Sequence, residues 1–445
     1  MNMLKKVFIL TVLITLLILA ACKEVEDDLY EESYNPSLEE EKKELTLRYQ
    51  FNPTISGDSS NDSLREMYDH IEEETGLSII SDSKSLDGYI AILKNELSRG
   101  ELPDIIQLNL MYDDGSGDGK SFLREEKENL LDLTDFLEES GLMEKFYSLE
   151  SYKVDGRVYG LPTDGSTMQL YYNKALVEEL GGLPETFEDF ISIMKEAKNK
   201  GYNPIAIDEE DGFSQMPYDL FQGILLETAG REKLYELMNG EASWFDDEFI
   251  AALQLMEEIA QLGIPRLEMY TDGLYNEFLS GNIVFMYSYF PPNQDNFGVM
   301  PFPTVSSSHE NSPSLIANFP SGYVFNGNVS EEEEQLIYKF IETLWSEDFI
   351  STYYTDKFYI PAIHVEANTE DALFNEVLQM MNETTNFVPK ITDLLPYTKG
   401  SNFSQLNYEI RTREVVKDLA NGELSSQEAV EKMDAIQEDL INITR

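Results

Sequence analysis

Residues 100–109 have the sequence GELPDIIQLN, in which the apolar run that begins at Ile105 predicts a buried β-strand. Two more strands and two amphipathic helices are predicted before it, in the order strand 45–51, helix 63–76, strand 77–80 and helix 89–97. Such alternation is typical of a mainly parallel sheet that has helices on both faces. The first part of the chain therefore predicts an α/β fold.

Polar side chains follow two of these predicted strands. Asn52 follows the first strand, and Asn109 and Asp113 follow the third. In open α/β sheets, ligands bind beyond the carboxyl ends of the strands. These side chains are therefore candidates for ligand contacts, although a solvated loop or a helix cap would explain each of them as well.

The amino-acid composition excludes several classes of protein. The 445 residues include 84 Asp and Glu against 32 Lys and Arg, which gives a formal net charge of −52. Binding to nucleic acids or to anionic membranes needs clustered Lys and Arg, so neither activity is expected. One cysteine and three scattered histidines exclude an intrachain disulfide and a thiolate zinc cluster, and they disfavour a Ser-His-Asp enzyme. We expect no cofactor and no metal.

The N-terminal residues predict export and lipid attachment. Lys5 and Lys6 precede the uncharged run 7–21, VFILTVLITLLILAA, whose length suits a signal peptide better than a membrane span. The run ends at Cys22, and the sequence LAAC resembles the bacterial lipobox, in which the cysteine thiol carries diacylglycerol. An ordinary signal peptide or an N-terminal anchor helix with a chance cysteine is the alternative.

This N-terminus sets the expected location. We expect residues 1–21 to be a signal peptide and residues 22–44 to be an acidic tether behind a lipidated, palmitate-bearing cysteine. The mature protein would then lie on the outer face of the cell membrane, attached through its N-terminal lipid.

Several short motifs follow one another from about residue 45 to the C-terminus. They are GELPDII (100–106), VDGRVYGLPTD (154–164), LYYNK (170–174), LPETFEDF (183–190), GYNPIA (201–206), FLSGNIVFM (278–286), PFP (301–303) and YIPA (359–362). Their order resembles that of the family 1 extracellular solute-binding proteins, which are sugar-binding lipoproteins of ABC importers. Phe187 stands where that family usually has Trp.

Some of these motifs also carry local structural signals. Asp155-Gly156 predicts the turn of a β-hairpin. Thr186, with Asp189 three residues later, predicts a helix N-cap, and Gly201 predicts a helix end. These residues are expected to build the fold rather than to contact ligand.

The resemblance implies a two-lobed, periplasmic-binding-protein-like fold (type II) with crossing strands as the hinge. The crossings are expected near residues 163–167, 299–303 and 359–362. The first lobe would comprise residues 45–163 and 304–358, and the second lobe 164–303 and 359–445. A ligand in the cleft would favour closure because it touches both lobes.

The function implied by the resemblance is capture of a sugar or oligosaccharide and its delivery to the permease subunits of an ABC importer. A monomeric receptor without catalytic residues is expected. A binding protein for a peptide or another non-sugar solute is one alternative, because the same fold serves both. A lipid-anchored carbohydrate-active enzyme is the other, and with 84 acidic residues a pair of carboxylates cannot argue for it.

Sugars offer apolar ring faces that stack on aromatic side chains and hydroxyls that bond to carboxylates and amides. Candidates are such side chains at strand ends and crossings: Asn52, Asn109, Asp113, Asp164, Ser166, Asp208, Trp244, Tyr287, Tyr289 and Tyr323. Trp345 has the spacing of a core residue. Residues 114–125 also fit a calcium loop in part, with Asp114, Ser116, Asp118 and Glu125 as ligands, but a glycine-rich surface turn is the simpler interpretation.

Overall fold

Two β-sheets with helices packed against them make up most of the structure. The computed structural model describes residues 43–49, 59–83, 88–111, 118–206, 216–263, 276–288, 292, 294–305, 314–355, 359–384, 386–388 and 402–444. Its strands are β1 (Lys43–Tyr49), β2 (Leu77–Ser83), β3 (Ile105–Asn109), β4 (Lys153–Val154), β5 (Arg157–Val158), β6 (Gly160–Thr167), β7 (Gln169–Asn173), β8 (Asn203–Ala206), β9 (Ile283–Ser288), β10 (Phe297–Met300), β11 (Ser314–Phe325), β12 (Ile360–Pro361) and β13 (Asn386–Val388).

The α-helices alternate with these strands. They are α1 (Ser59–Thr75), α2 (Tyr89–Arg99), α3 (Gly119–Glu125), α4 (Thr134–Ser140), α5 (Lys174–Leu180), α6 (Phe187–Lys200), α7 (Met216–Met238), α8 (Asp247–Gln261), α9 (Glu331–Leu344), α10 (Glu347–Tyr354), α11 (Ala372–Glu383), α12 (Asn402–Ala420) and α13 (Ser426–Thr444). The strands and helices predicted before residue 110 are confirmed as β1, α1, β2, α2 and β3.

The larger sheet has the strand order β12–β6–β11–β3–β1–β2, and β13 pairs with β11. β1 and β3 run parallel, with Leu47 opposite Ile105. β11 runs antiparallel to both β3 and β6. Asn109, at the polar end of β3, therefore lies beside the middle of β11. The two strands come from distant parts of the chain.

The smaller sheet has the strand order β10–β7–β9–β8. β8 and β9 run parallel, whereas β7 runs antiparallel to both β9 and β10. Both sheets are thus mixed, where mainly parallel sheets were expected. In these two sheets the antiparallel pairs join strands that lie far apart in the chain, so the early strand–helix alternation gives no sign of them.

The chain changes sheets directly after β6. β6 ends at Thr167 in the larger sheet, and β7 begins at Gln169 in the smaller one. Residues 299 and 300 still lie in β10 of the smaller sheet, and Thr304 forms a bridge with Thr186, so the chain joins the larger sheet only within β11. β12 pairs with β6, with Ile360 opposite Gly165.

The local signals of the motifs are confirmed. β4 and β5 form a hairpin whose turn residues, Asp155 and Gly156, have φ of 50° and 80°. The Thr186 side chain accepts a hydrogen bond from the backbone N–H of Asp189 and completes a capping box at the start of α6. Gly201 ends this helix in the left-handed conformation. Short-range chemistry alone fixes these features.

Each sheet packs on a hydrophobic core that holds one of the two tryptophans. Trp345 is fully buried, as its spacing predicted, and its indole Nε1 donates to the carbonyl oxygen of Pro162 at 2.6 Å. Trp244 is buried beneath the smaller sheet, between the rings of Phe221 and Phe249. Among the described residues, no helix combines the length and apolar character needed to cross a membrane.

Candidate functional site

Three polar side chains lie side by side on neighbouring strands of the larger sheet. Ser321 on β11 stands opposite Asn109 on β3 and opposite Asp164 on β6. The Asn109 amide Nδ2 donates to Ser321 Oγ at 3.3 Å. We call Asn109, Ser321 and Asp164 the polar row. It lies at the carboxyl end of β3, which is the edge where ligands bind in sheets of this class.

A β-bulge in β11 extends the polar row. The register between β11 and β6 shifts twice around Ser321, and beyond the shift Asn318 stands opposite Ser166. Gly165 permits the close approach of the two strands, because a Cβ atom there would lie 2.1 Å from the carbonyl oxygen of Asn318. Bulges redirect side chains and are frequent beside functional sites.

Two exposed apolar side chains flank the polar row. Met111, two residues after Asn109, is 48% exposed, and its sulfur lies 3.0 Å from the amide nitrogen of Asn318. Tyr359 is 55% exposed and directly precedes Ile360, the partner of Gly165. Continuing that antiparallel register sets Tyr359 opposite Ser166. Sequence reasoning placed a crossing strand at 359–362 but did not select Tyr359, although an aromatic residue at a crossing was the available signal.

Asp164 is the carboxylate of the polar row. Thr163 Oγ1 donates to Asp164 Oδ1 at 2.7 Å. Burial raises the pKa of the Asp164 carboxyl to about 6, and the hydrogen bond from Thr163 only partly offsets this. Among the described residues, no Lys or Arg counters the effect of burial. A carboxylate held in this way is an acceptor for hydroxyl donors.

Tyrosine hydroxyls connect Asp164 with the core behind the sheet. Thr163 and Tyr354 share a hydrogen bond, Tyr354 bonds to Tyr323, and Tyr323 bonds to Tyr68 on α1. Burial raises the pKa of Tyr323, Tyr68 and Tyr354, and the charge of Asp164 adds to the effect on Tyr323 and Tyr354. Tyr323, predicted as a ligand contact, is fully buried among Phe340 and Trp345.

The remaining predicted side chains divide into two groups. Trp244 and Tyr287 are 2% and 3% exposed and belong to the core of the smaller sheet, where Tyr287 packs against Phe302. Both fill the interior beneath the sheet. Among the predicted side chains that the structure describes, Asn109, Asp164 and Ser166 are therefore the ones that come together at one edge. The others lie outside the described residues: Cys22, Asn52, Asp113, Asp208 and Tyr289.

The possible calcium ligands have other partners where they are described. Asp118 caps α3, and its carboxylate accepts from the N–H of Ser121 at 2.7 Å. Glu125 pairs with Lys94 at 2.7 Å. Asp114 and Ser116 lie outside the described residues. In the described part of the chain, no group of three or more His, Cys, Asp or Glu residues is placed to hold a metal ion.

Comparison with known proteins identifies the family of this chain. A sequence profile of bacterial extracellular solute-binding proteins matches residues 66–376, which is more than half of the chain. The chain belongs to this family of solute-binding proteins. Its members are binding proteins rather than enzymes, and they are extracellular. The matched segment includes the whole polar row.

Two curated relatives share part of the sequence of this solute-binding protein. The multiple sugar-binding protein of Streptococcus mutans serotype c is 28% identical over 131 residues, 28% of this chain and 29% of that protein. The lactose-binding protein of Rhizobium radiobacter is 34% identical over 117 residues, 25% of this chain and 26% of that protein. The alignments therefore span less than a third of each relative.

A solved structure confirms the fold class. The probable secreted solute-binding lipoprotein from Streptomyces coelicolor superposes with a TM-score of 0.71 at 14% identity, covering 88% of this chain and 98% of that one. The two-lobed α/β fold of a solute-binding protein is thus confirmed, and the polar row lies where a strand of the larger sheet continues toward the smaller sheet.

Proposed function

We propose that this solute-binding protein captures a sugar or oligosaccharide between its two lobes and delivers it to the permease of an ABC importer. The observation that carries the proposal is the polar row, whose Asp164 lies on β6, a strand that leads directly into the smaller sheet. Both curated relatives are named for sugars that they bind, which supports a carbohydrate over a peptide.

The chemistry of the polar row suits a carbohydrate. Asn109, Ser321 and Asp164 offer amide, hydroxyl and carboxylate groups, and Tyr359 offers an exposed ring beside them. Carboxylate acceptors form the stronger, charge-assisted hydrogen bonds with hydroxyls, and an aromatic face packs against the apolar face of a sugar ring. A ligand held here and by the smaller sheet would favour closure about the crossing at Thr167–Gln169.

The lobe boundaries are part of the proposal. We assign residues 45–163 and 304–358 to the first lobe and residues 164–303 and 359–445 to the second. The strand pairs keep β6 and β12 in the larger sheet as far as Thr167 and Pro361, which favours moving the boundaries at 163 and 358 to these two residues. These two strands would then carry the bending between the lobes.

Asp164→Asn tests the site, and we expect it to weaken carbohydrate binding roughly ten- to hundredfold, the range for a hydrogen bond to a charged group. Calorimetric titration with a panel of neutral oligosaccharides measures this. Affinity of the unchanged protein should fall as the pH drops through about 6, because protonation removes the carboxylate acceptor. The variant should lack this dependence.

Stability should change in the opposite direction. The folded-state pKa of Asp164 lies above the usual value near 4, so the folded protein binds this proton more tightly than the unfolded chain. The penalty for ionisation is absent below about pH 4 and fully present above about pH 6. Asp164→Asn should therefore raise the free energy of unfolding at pH 7.5, by up to about 3 kcal/mol. A variant that lost stability and kept full affinity would contradict the site.

We also propose that Cys22 carries the lipid that holds the protein on the outer face of the membrane. Cys22→Ala should leave the precursor unprocessed or release the protein into the medium, because the thiol is the attachment point. Membrane fractionation measures this, with Lys23→Ala as the neighbouring control. Equal membrane retention of both variants would exclude lipid attachment at Cys22.

A further inference from the structure

In the described residues, the side of the site that the larger sheet forms carries hydrogen-bond acceptors and a negative charge that no cation compensates. Asn109, Ser321 and Asp164 form the polar row, and Ser166 and Asn318 extend it. In the described residues, the Asp164 carboxylate accepts its hydrogen bond from a neutral hydroxyl, that of Thr163. The tyrosines around Asp164 are neutral as well, so no cation among the described residues balances its charge.

The charge of the chain as a whole has the same sign. The segment that follows β3 in the chain, residues 112–117, contains two Asp, and the segment that follows β8, residues 207–215, contains four Asp and Glu. Neither segment contains Lys or Arg. The whole chain has a net charge of −52, so an approaching anion meets repulsion at long range and again beside Asp164.

We propose that this site selects uncharged carbohydrates and rejects uronic acids and other anionic sugars. The inference rests on the proposed function and names the substrate class of the same site. A sugar hydroxyl donates to the Asp164 carboxylate, whereas a sugar carboxylate has no proton to donate and repels it. For charges about 8 Å apart near a protein surface, the repulsion corresponds to roughly thirtyfold in affinity.

Matched ligands separate charge from shape. Neutral cello-, malto-, galacto-, manno- and chito-oligosaccharides are titrated first, and each is compared with its C6-oxidised uronate and with the methyl ester of that uronate. The uronate should bind roughly thirtyfold more weakly than its neutral parent, and the methyl ester should recover a large part of the loss. The reference pair consists of a galactose-type oligosaccharide as the neutral ligand and oligogalacturonate as the anion.

Two variants and a salt series locate the effect. Asp164→Asn should reduce the difference in affinity between the neutral and the anionic ligand, because it removes the local negative charge. Glu139→Gln is the control. It removes one exposed carboxylate near the opposite end of β11 and should leave the difference in affinity unchanged. In 1 M sodium chloride the screening length falls to about 3 Å, so long-range repulsion disappears while repulsion from a partly buried group persists.

Each outcome decides one question. A neutral oligosaccharide that binds at least tenfold more tightly than its uronate supports the inference. Equal affinity for both, or binding of uronates alone, overturns the inference and leaves the carbohydrate receptor intact. Binding of no carbohydrate in the panel, in either form, overturns the proposed function itself. If Asp164→Asn leaves the difference in affinity unchanged, this carboxylate is not what rejects the anionic ligand.

Discussion

Replacing Glu96 with alanine should lower the free energy of unfolding by about 3–5 kcal/mol, the usual cost of leaving one charge of a buried ion pair without its partner. Arg48 Nη1 lies 2.7 Å from Glu96 Oε1 and 2.8 Å from Oε2. Both side chains are about one-tenth exposed or less. This pair joins β1 to α2, so its loss should loosen the strand and helix that begin the larger sheet.

Urea unfolding followed by far-ultraviolet circular dichroism measures the effect. The matched control is Glu258→Ala, which breaks the exposed pair between Lys195 and Glu258, also at 2.7 Å, and should cost at most about 1 kcal/mol. The double variant Arg48→Met/Glu96→Leu should be more stable than Glu96→Ala, because no charge stays buried. If Glu96→Ala cost no more than the control, the buried pair would have no special role.

Local signals in the sequence predicted the parts of the fold that neighbouring residues determine. The hairpin turn at Asp155-Gly156 and the N-cap at Thr186 depend on residues a few positions apart. The alternation of strands and helices up to Asn109 likewise predicted the parallel β1–β3 pair. Asn109, Asp164 and Ser166 were predicted as polar residues at a strand end or a crossing, and they lie at one edge of the larger sheet.

Long-range pairing explains what the sequence did not predict. Ser321 meets Asn109 and Asp164 only because β11 inserts between β3 and β6. Tyr323 lies two positions further along the same strand and is fully buried, because Phe340 and Trp345 pack against its ring. Tyr287 is buried for a similar reason in β9, where every described side chain is buried. Burial of an aromatic residue in a strand therefore depends on what packs against it, and sequence position does not reveal that.

Asp164 connects stability with function. Its ionised carboxylate is unfavourable in its partly buried position, since burial raises its pKa to about 6. Asparagine would fill the same space without the charge. Residues that lower stability in this way are expected at functional sites, because a carboxylate with a perturbed pKa can serve to bind a ligand. The tyrosine hydroxyls behind it would hold Thr163, and through it the carboxylate, in one orientation.

Trp345→Ala should lower the free energy of unfolding by about 3–5 kcal/mol, the usual cost of removing a large aromatic side chain from a core. The indole ring is fully buried and packs edge-on against Tyr323 at 6.0 Å. Its Nε1 holds the carbonyl of Pro162, two residues before Asp164 on β6. Removing the ring should therefore loosen the polar row and weaken carbohydrate binding as well.

Trp244→Ala is the control that separates the two effects. Trp244 is also buried, at 2% exposure, but it packs against Phe221 and Phe249 in the core of the smaller sheet. Its removal should cost a similar free energy and leave the affinity of the folded protein nearly unchanged, because no strand of the polar row rests on it. Trp345→Phe should keep part of the packing and lose the hydrogen bond to Pro162. If both alanine variants lost affinity equally, binding would depend on overall stability, and support of the polar row by Trp345 would be excluded.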